Sequence, residues 1–127
     1  MRDTTTTLQQ LKTRVKKFQQ ERNWNPQIKN LAISIAIEAA ELLELFQWDD
    51  YAEYQKRQDA KKEDVWKELA DVIIYCLQFA AKADIDITHA VEKKLALNAK
   101  KYPAHLFGGK QAGDHYYKIK SAYRAKK

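Results

Sequence analysis

The chain has 127 residues, a formal net charge of +6, three Gly and two Pro. This length suits one domain with a modest core, and so few Gly and Pro exclude an architecture built from many strands and tight turns. No apolar run is long enough to span a bilayer, and the opening MRDTTTTLQQ lacks the apolar segment of a secretion signal, so we expect an all-α cytoplasmic protein without a membrane partner.

The helical pattern divides the chain into four segments. The first covers about residues 7–22, with the Thr run as its N-cap, and the second about 29–47. A polar connection, WDDYAEYQKRQDAKKED, leads to a third helix over about 63–83. Asp86 is placed to cap the fourth, which ends near Lys101 before Tyr102-Pro103. We predict a four-helix bundle over residues 1–107, completed by oligomerisation, and a basic tail over 108–127.

The tail carries much of the positive charge but no recognition motif. Lys and Arg concentrate near the two ends of the chain, and KIKSAYRAKK could touch phosphate backbones. No fold signature for nucleic-acid binding accompanies this charge. Nucleic acid is therefore not expected as a partner.

Two acidic pairs repeat one spacing on successive apolar helices. Glu38 and Glu41 lie three residues apart on the second helix, and Glu68 and Asp71 on the third, so each pair occupies one helix face. If the helices pack antiparallel, the four carboxylates converge and repel one another unless a hard cation binds, for which Mg²⁺ is the natural candidate. The alternative is ordinary surface Glu. A di-iron bundle would need Glu-x-x-His, which the sequence lacks.

The fourth helix and three aromatic residues complement the acids. Lys94, Asn98 and Lys101 follow i, i+4, i+7 spacing, suitable for gripping a polyphosphate, although a solvated Lys-rich face has the same pattern. Three aromatic side chains could stack on a nucleobase, or they could instead cover the hydrophobic core. These are Trp24, Trp48 and Tyr75.

The segments EAAELLELFQW, KELADVIIY and KLALNAKKYPAHL, in this order, resemble the MazG-like nucleoside triphosphate pyrophosphohydrolases, and most closely the dCTP pyrophosphatase branch. The resemblance runs from about Leu8 to Leu106. It implies an all-α fold, a homodimer or homotetramer, Mg²⁺ on the four acids, phosphates on the fourth-helix residues, and a base and sugar pocket formed by the three aromatics. After Trp24 this chain reads WNPQIKNL, without the Phe-His pair common in relatives, so the accepted base stays open.

The implied reaction is Mg²⁺-dependent hydrolysis of a deoxynucleoside triphosphate, dCTP or a related pyrimidine, to the monophosphate and pyrophosphate, which would cleanse the nucleotide pool. Glu44, three residues beyond Glu41, could activate the attacking water, and could equally be solvated or an extra ligand. The alternative is a nucleotide-binding or scaffold bundle without turnover.

Overall fold

The computed structural model describes residues 1–109 and 112–126, apart from the side chains of residues 57, 58 and 60. This part of the chain is helical and contains no strand, which confirms the all-α prediction. Its elements are α1 (Leu8–Gln20), α2 (Ile28–Glu44), α3 (Tyr51–Lys82), α4 (Ile87–Lys101), a 3₁₀ turn (Ala104–Leu106) and α5 (Ala112–Arg124). They form two compact units, Met1–Ile85 and Asp86–Lys127. None of the described helices is long and apolar enough to cross a membrane.

The first unit is built around α2 and α3, which pack along each other, with α1 against α3. Only residues 45–50 separate α2 from α3, so the two helices run antiparallel. Leu31 of α2 and Leu77 and Ala80 of α3 are the buried hydrophobic side chains among the described residues. This pairing brings one face of α2 against one face of α3.

The third helix begins at Tyr51, so the prediction that it starts near residue 63 was wrong. Asp50 caps the helix: its carboxylate accepts from the Glu53 backbone N–H at 2.8 Å, and the Glu53 carboxylate accepts from the Asp50 N–H at 3.3 Å. The segment that follows is polar but contains no Gly or Pro, and most of its residues are good helix formers. The predicted connection is therefore the first part of α3.

A lysine holds the turn between α2 and α3. The Lys61 ammonium donates to the carbonyl oxygen of Leu45, 2.7 Å away, and pairs with Asp49 at 2.5 Å. The Asp49 side chain is 4% exposed. Because the last carbonyls of a helix lack partners within the helix, Lys61 satisfies one of these groups and anchors α3 to the end of α2.

Helix starts were predicted well where a capping residue was visible in the sequence. Thr7 caps α1 by accepting from the Gln10 N–H at 3.2 Å, and the Gln10 side chain accepts from the Thr7 N–H. Asp86 caps α4 by accepting from the His89 N–H at 2.9 Å. The predicted N-caps of the first and fourth helices are confirmed.

The outer faces of α2 and α3 stay apolar and exposed. Such side chains on these helices include Ile33, Ile37, Leu43, Trp66, Leu69 and Ile73. A monomeric domain rarely leaves this much large apolar surface in water. The single chain therefore has apolar surface available for contact with another chain.

The second unit contains α5, which was not predicted and occupies most of the proposed tail. The Tyr102 ring stacks on Tyr116 of α5, with ring centroids 5.4 Å apart, and meets Phe107 edge-on at 6.0 Å. The Lys101 ammonium lies 3.8 Å from the centroid of the Tyr123 ring. These aromatic contacts hold α5 against the end of α4.

Candidate metal centre and adjoining cleft

Three of the four predicted metal ligands converge where α2 and α3 face each other. Carboxylate oxygens of Glu38, Glu41 and Glu68 all lie within 4.8 Å of one another. Glu38 and Glu68 are half-buried, and Glu41 is exposed. Oxygen ligands at this spacing could hold a metal ion. The sequence prediction that acids of the two helices come together is confirmed for these three residues.

Asp71 is the fourth predicted acid and lies outside this group of three. It is half-buried on α3, one helical turn beyond Glu68. The pKa of the Glu38 carboxyl is raised, first by partial burial and then by the negative charges of Glu41, Asp71 and Glu68. The influence of Asp71 on this pKa shows that its charge acts on the same acidic cluster.

The cluster has the chemistry of a hard-cation site. Among the described residues, no Lys or Arg forms an ion pair with any of the four acids, so no direct ion pair offsets their repulsion there. All the ligand atoms in the cluster are carboxylate oxygens, which suit Mg²⁺, Ca²⁺ or Mn²⁺ better than the softer metals that favour His and Cys. The residues present therefore fit a divalent cation bound through oxygen.

A cleft of about 450 Å³ lies along the same two helices, and none of the four acids lines it. Ser34 of α2 and Tyr75 of α3 line it, and each lies four residues from an acid, Glu38 and Asp71 respectively. Trp24, from the segment after α1, forms another wall, and its ring meets Phe18 edge-on at 5.8 Å. The structure thus brings two of the predicted base-pocket aromatics, Trp24 and Tyr75, into one cleft.

The cleft continues into a larger hollow of about 730 Å³ towards the end of α3. Lys16 and Lys82 line this outer part, and the Lys82 ammonium donates to the Asn25 side-chain oxygen at 2.5 Å. Leu31 and Gln78 line both parts. The combined cleft therefore runs from Ser34 and Tyr75, each one helical turn from an acid, to a rim that carries lysines and amides.

The structure does not bring the remaining candidates of the first unit into this cleft. Trp48 is 83% exposed in the turn after α2, and it lines neither part of the cleft. Glu44 is exposed and lines a separate hollow with Leu43 and Gln47. It is not among the three clustered carboxylates.

The predicted phosphate-binding residues all belong to the second unit. Lys94 is exposed and Asn98 is half-buried on α4. Lys101 ends this helix with its ammonium over the Tyr123 ring. The side chains of Lys94 and Asn98 form no hydrogen bond or ion pair with the described residues, whereas the Lys101 ammonium contacts α5.

Sequence reasoning missed the polar residues that line the inner cleft: Asn30, Ser34 and Gln78. Their spacing could have revealed them. Ser34 lies one turn before Glu38, Asn30 one turn before Ser34, and Gln78 two turns after Asp71. Extending each acidic stripe along its helix predicts these positions.

A sequence profile of the MazG-like family matches residues 33–111. This span includes the four acids of the cluster. The chain belongs to the MazG-like family. Trp24 and Asn30 lie before the matched span, so one wall of the cleft in this MazG-like chain falls outside the part that the family profile describes.

Relatives of this MazG-like chain include dCTP pyrophosphatase 1 of Rattus norvegicus, 36% identical over 107 residues, which are 81% of this chain and 63% of that protein. The Homo sapiens protein of the same name is 36% identical over 104 residues, covering 79% and 61%. The chain thus spans less than two thirds of these relatives. A crystal structure of a pyrophosphatase from Archaeoglobus fulgidus is similar with a TM-score of 0.72 and 37% identity, covering 81% of this chain and 98% of that one.

Proposed function

We propose that this MazG-like chain is a nucleoside triphosphate pyrophosphohydrolase. It would hydrolyse a deoxynucleoside triphosphate between the α- and β-phosphates, releasing the monophosphate and pyrophosphate. The observation that carries this proposal is the group of three carboxylates, within 4.8 Å of one another, on the two helices that also line a cleft with Tyr75 and Trp24. The names of the relatives, two dCTP pyrophosphatases and a pyrophosphatase, support the same reaction class.

The acids would hold Mg²⁺, with Glu38, Glu41 and Glu68 as the clustered ligands and Asp71 beside them. Bound Mg²⁺ would supply neutralisation of phosphate charge and a lowered pKa for a coordinated water. The chain contributes a fixed arrangement of carboxylates on two packed helices, so little reorganisation is needed when the charged substrate enters. Partial burial of Glu38 and Glu68 strengthens their interaction with any cation at this position.

The cleft would bind the nucleoside. Trp24 and Tyr75 offer aromatic faces on which a base can stack, at a position next to the acids. We propose dCTP or a related pyrimidine triphosphate as the substrate, in line with the names of the relatives. Removal of unwanted triphosphates from the cytoplasmic nucleotide pool is the purpose that this reaction suggests.

Further roles are proposed from sequence alone. Lys94, Asn98 and Lys101 of α4 would bind phosphate oxygens, and Glu44 would orient the attacking water. Trp48 would complete a base pocket. We also propose assembly as a homodimer or homotetramer, because the exposed apolar faces of α2 and α3 are large for a chain that acts alone.

The test is pyrophosphate release from a panel of deoxynucleoside triphosphates, each with and without Mg²⁺. We expect metal-dependent release, and Glu41→Gln should reduce kcat/KM by roughly 100-fold or more because it removes one charged ligand from the cluster. Glu41 is exposed, so this change should not disturb folding. The matched control is Glu63→Gln, an exposed acid of α3 outside the cluster, which should leave turnover unchanged. Nucleotide binding without pyrophosphate release would instead favour a non-catalytic bundle.

A further inference from the structure

Gln78 is a buried polar residue of the cleft. Its exposed fraction is 8%, and it is the polar or charged side chain that is buried among the described residues. No described residue forms a hydrogen bond with its side-chain amide. The amide is not sealed off, because Gln78 lines both parts of the cleft. Its nitrogen and oxygen are accessible from the cleft, so a ligand there can take the hydrogen bonds that water makes with this amide otherwise.

The other polar residues of the cleft wall are in a different situation. Asn23, Asn25 and Asn30 are exposed, so water can satisfy their amides. Asn25 also accepts from Lys82. Gln78 instead lies beside the buried Leu31 and next in sequence to the buried Leu77. It is therefore the cleft amide whose residue is most buried, with its polar atoms open to the cleft.

The position of Gln78 relative to the acids matches the length of a nucleotide. Asp71, Tyr75 and Gln78 follow i, i+4, i+7 spacing and share one stripe of α3. Seven residues of helix rise about 10.5 Å. A nucleotide with its phosphates at the acids and its base beside Tyr75 would place the far, polar edge of the base near Gln78.

We infer that Gln78 reads the polar edge of the base through paired hydrogen bonds, and that it accepts both 4-amino and 4-oxo pyrimidines. The inference rests on the proposed function, which sets the direction of the nucleotide in the cleft. A carboxamide presents one acceptor and two donor hydrogens. Cytosine offers an amino donor beside the N3 acceptor, and uracil offers the O4 acceptor beside the N3–H donor. Since no described residue forms a hydrogen bond with the amide, the amide can rotate by about 180° and exchange its donor and acceptor, so that it matches either base.

The experiment measures binding of non-hydrolysable α,β-imido analogues of dCTP and dUTP, with Mg²⁺, to the full chain by calorimetry. The Kd values of the wild type for the two analogues should lie within about tenfold of each other. Gln78→Leu should raise both Kd values about 10- to 100-fold, because the base edge loses its hydrogen-bonding partner. Gln55→Leu is the matched control: Gln55 is exposed on the same helix, outside the cleft, and its variant should bind like the wild type.

Two further measurements separate recognition from a structural role. The metal-free Gln78→Leu protein should unfold at or above the wild-type midpoint, since the amide that leucine replaces forms no hydrogen bond with a described residue. In the wild type, the NMR signals of the Gln78 side-chain amide should shift when either analogue is added. A lowered midpoint together with unshifted amide signals would overturn the inference.

The outcomes also distinguish this inference from the proposed function. Unchanged binding by Gln78→Leu would overturn the role of Gln78, while pyrophosphate release by the wild type would still stand. If the wild type binds one analogue more than about 100-fold more tightly than the other, the inference that Gln78 accepts both 4-amino and 4-oxo pyrimidines is overturned. Binding that depends on Gln78, without any pyrophosphate release, would refute the hydrolase and support the inference. Failure of the wild type to bind either analogue would refute both.

Discussion

The Lys101 ammonium lies 3.8 Å from the centroid of the Tyr123 ring, which links the last turn of α4 to α5. A lysine over an aromatic face gains a cation–π interaction of about 0.5–1 kcal/mol at an exposed site. The C-terminal segment therefore restrains a residue that we propose as a phosphate ligand.

Replacement of this ring should affect substrate binding more than chemistry. Tyr123→Leu removes the closer of two cation–π contacts of Lys101, the other being with Tyr102 at 5.0 Å. Lys101 then becomes less ordered before the substrate arrives, and the KM for dCTP should rise about two- to fivefold with kcat unchanged. Steady-state kinetics would check this. Tyr117→Leu is the control, because Tyr117 is 68% exposed on α5 and contacts only the neighbouring Tyr116 ring among the described residues. Equal KM values for all three proteins would contradict the prediction.

The bond network of Lys61 should matter to stability. Lys61→Met removes the hydrogen bond to the Leu45 carbonyl and one ion pair of the Asp49 carboxylate, whose side chain is 4% exposed. We expect the free energy of unfolding to fall by about 2 kcal/mol, within the range for hydrogen bonds to charged groups. Urea denaturation would measure the loss. Lys62→Met, at an exposed neighbouring position, should change stability by less than about 0.5 kcal/mol, and a similar loss in both variants would argue against this specific role.

Much of the fold follows from local signals in the sequence. The capping residues Thr7 and Asp86 were visible and marked their helices correctly. The start of α3 was missed because its first part is polar, so hydrophobic periodicity gives no signal there, although Asp50 and Glu53 form a capping box. α5 was missed because its apolar residues are mainly tyrosines, which contact Tyr102 and Lys101 rather than a conventional core.

Within the candidate site, the acidic residues could be predicted from the sequence, whereas the burial or exposure of its other residues could not. The acidic pairs were found because a three-residue spacing on apolar helices is unusual enough to notice. Gln78 was missed because the acidic stripe of α3 was not followed beyond Tyr75, and its burial depends on how α1 and α2 cover α3, which the sequence does not reveal. The exposed position of Trp48 could not be predicted either, since an aromatic residue after a helix can turn towards the core or away from it.

The exposed apolar face of α2 should be an interface between copies of this chain. Ile33 and Ile37 lie one turn apart with 47% and 50% of their surfaces exposed. We expect the wild type to be at least a dimer, and Ile37→Lys to reduce its mass in light scattering, because a lysine cannot be buried in an apolar interface without cost. Gln9→Lys adds the same charge at an exposed position of α1 and should not alter the mass. A wild-type protein that is monomeric at micromolar concentration would refute this assembly.

A Glu44 variant tests whether a residue outside the clustered acids activates the attacking water. Glu44→Gln should leave Mg²⁺ affinity unchanged, since Glu44 is not among the three clustered carboxylates. If Glu44 orients the attacking water, kcat should fall about 100-fold, the lower range for general acid–base contributions. Mg²⁺ titrations of turnover would separate the two effects. A wild-type kcat in this variant would remove Glu44 from the mechanism.

The acidic cluster should destabilise the protein when metal is absent. The pKa of Glu38 is raised by partial burial and then by Glu41, Asp71 and Glu68, so the folded chain binds this proton more tightly than the unfolded chain does. The contribution of Glu38 to stability is therefore present at low pH and is lost as the pH rises through its raised pKa. At neutral pH, the metal-free Glu38→Gln protein should unfold at a higher temperature than the wild type.

In Mg²⁺ the wild type should become more stable than Glu38→Gln. A ligand that binds only the folded chain stabilises it by about 2.7 kcal/mol when its concentration is a hundred times its Kd. Wild-type protein should therefore gain thermal stability in saturating Mg²⁺, whereas Glu38→Gln should gain much less. Glu63→Gln, outside the cluster, should respond to Mg²⁺ like the wild type. Calorimetric scans at neutral pH, with EDTA or with Mg²⁺, would measure both effects. A Glu38→Gln protein that is less stable than the wild type in EDTA would show that Glu38 supports the fold rather than the metal.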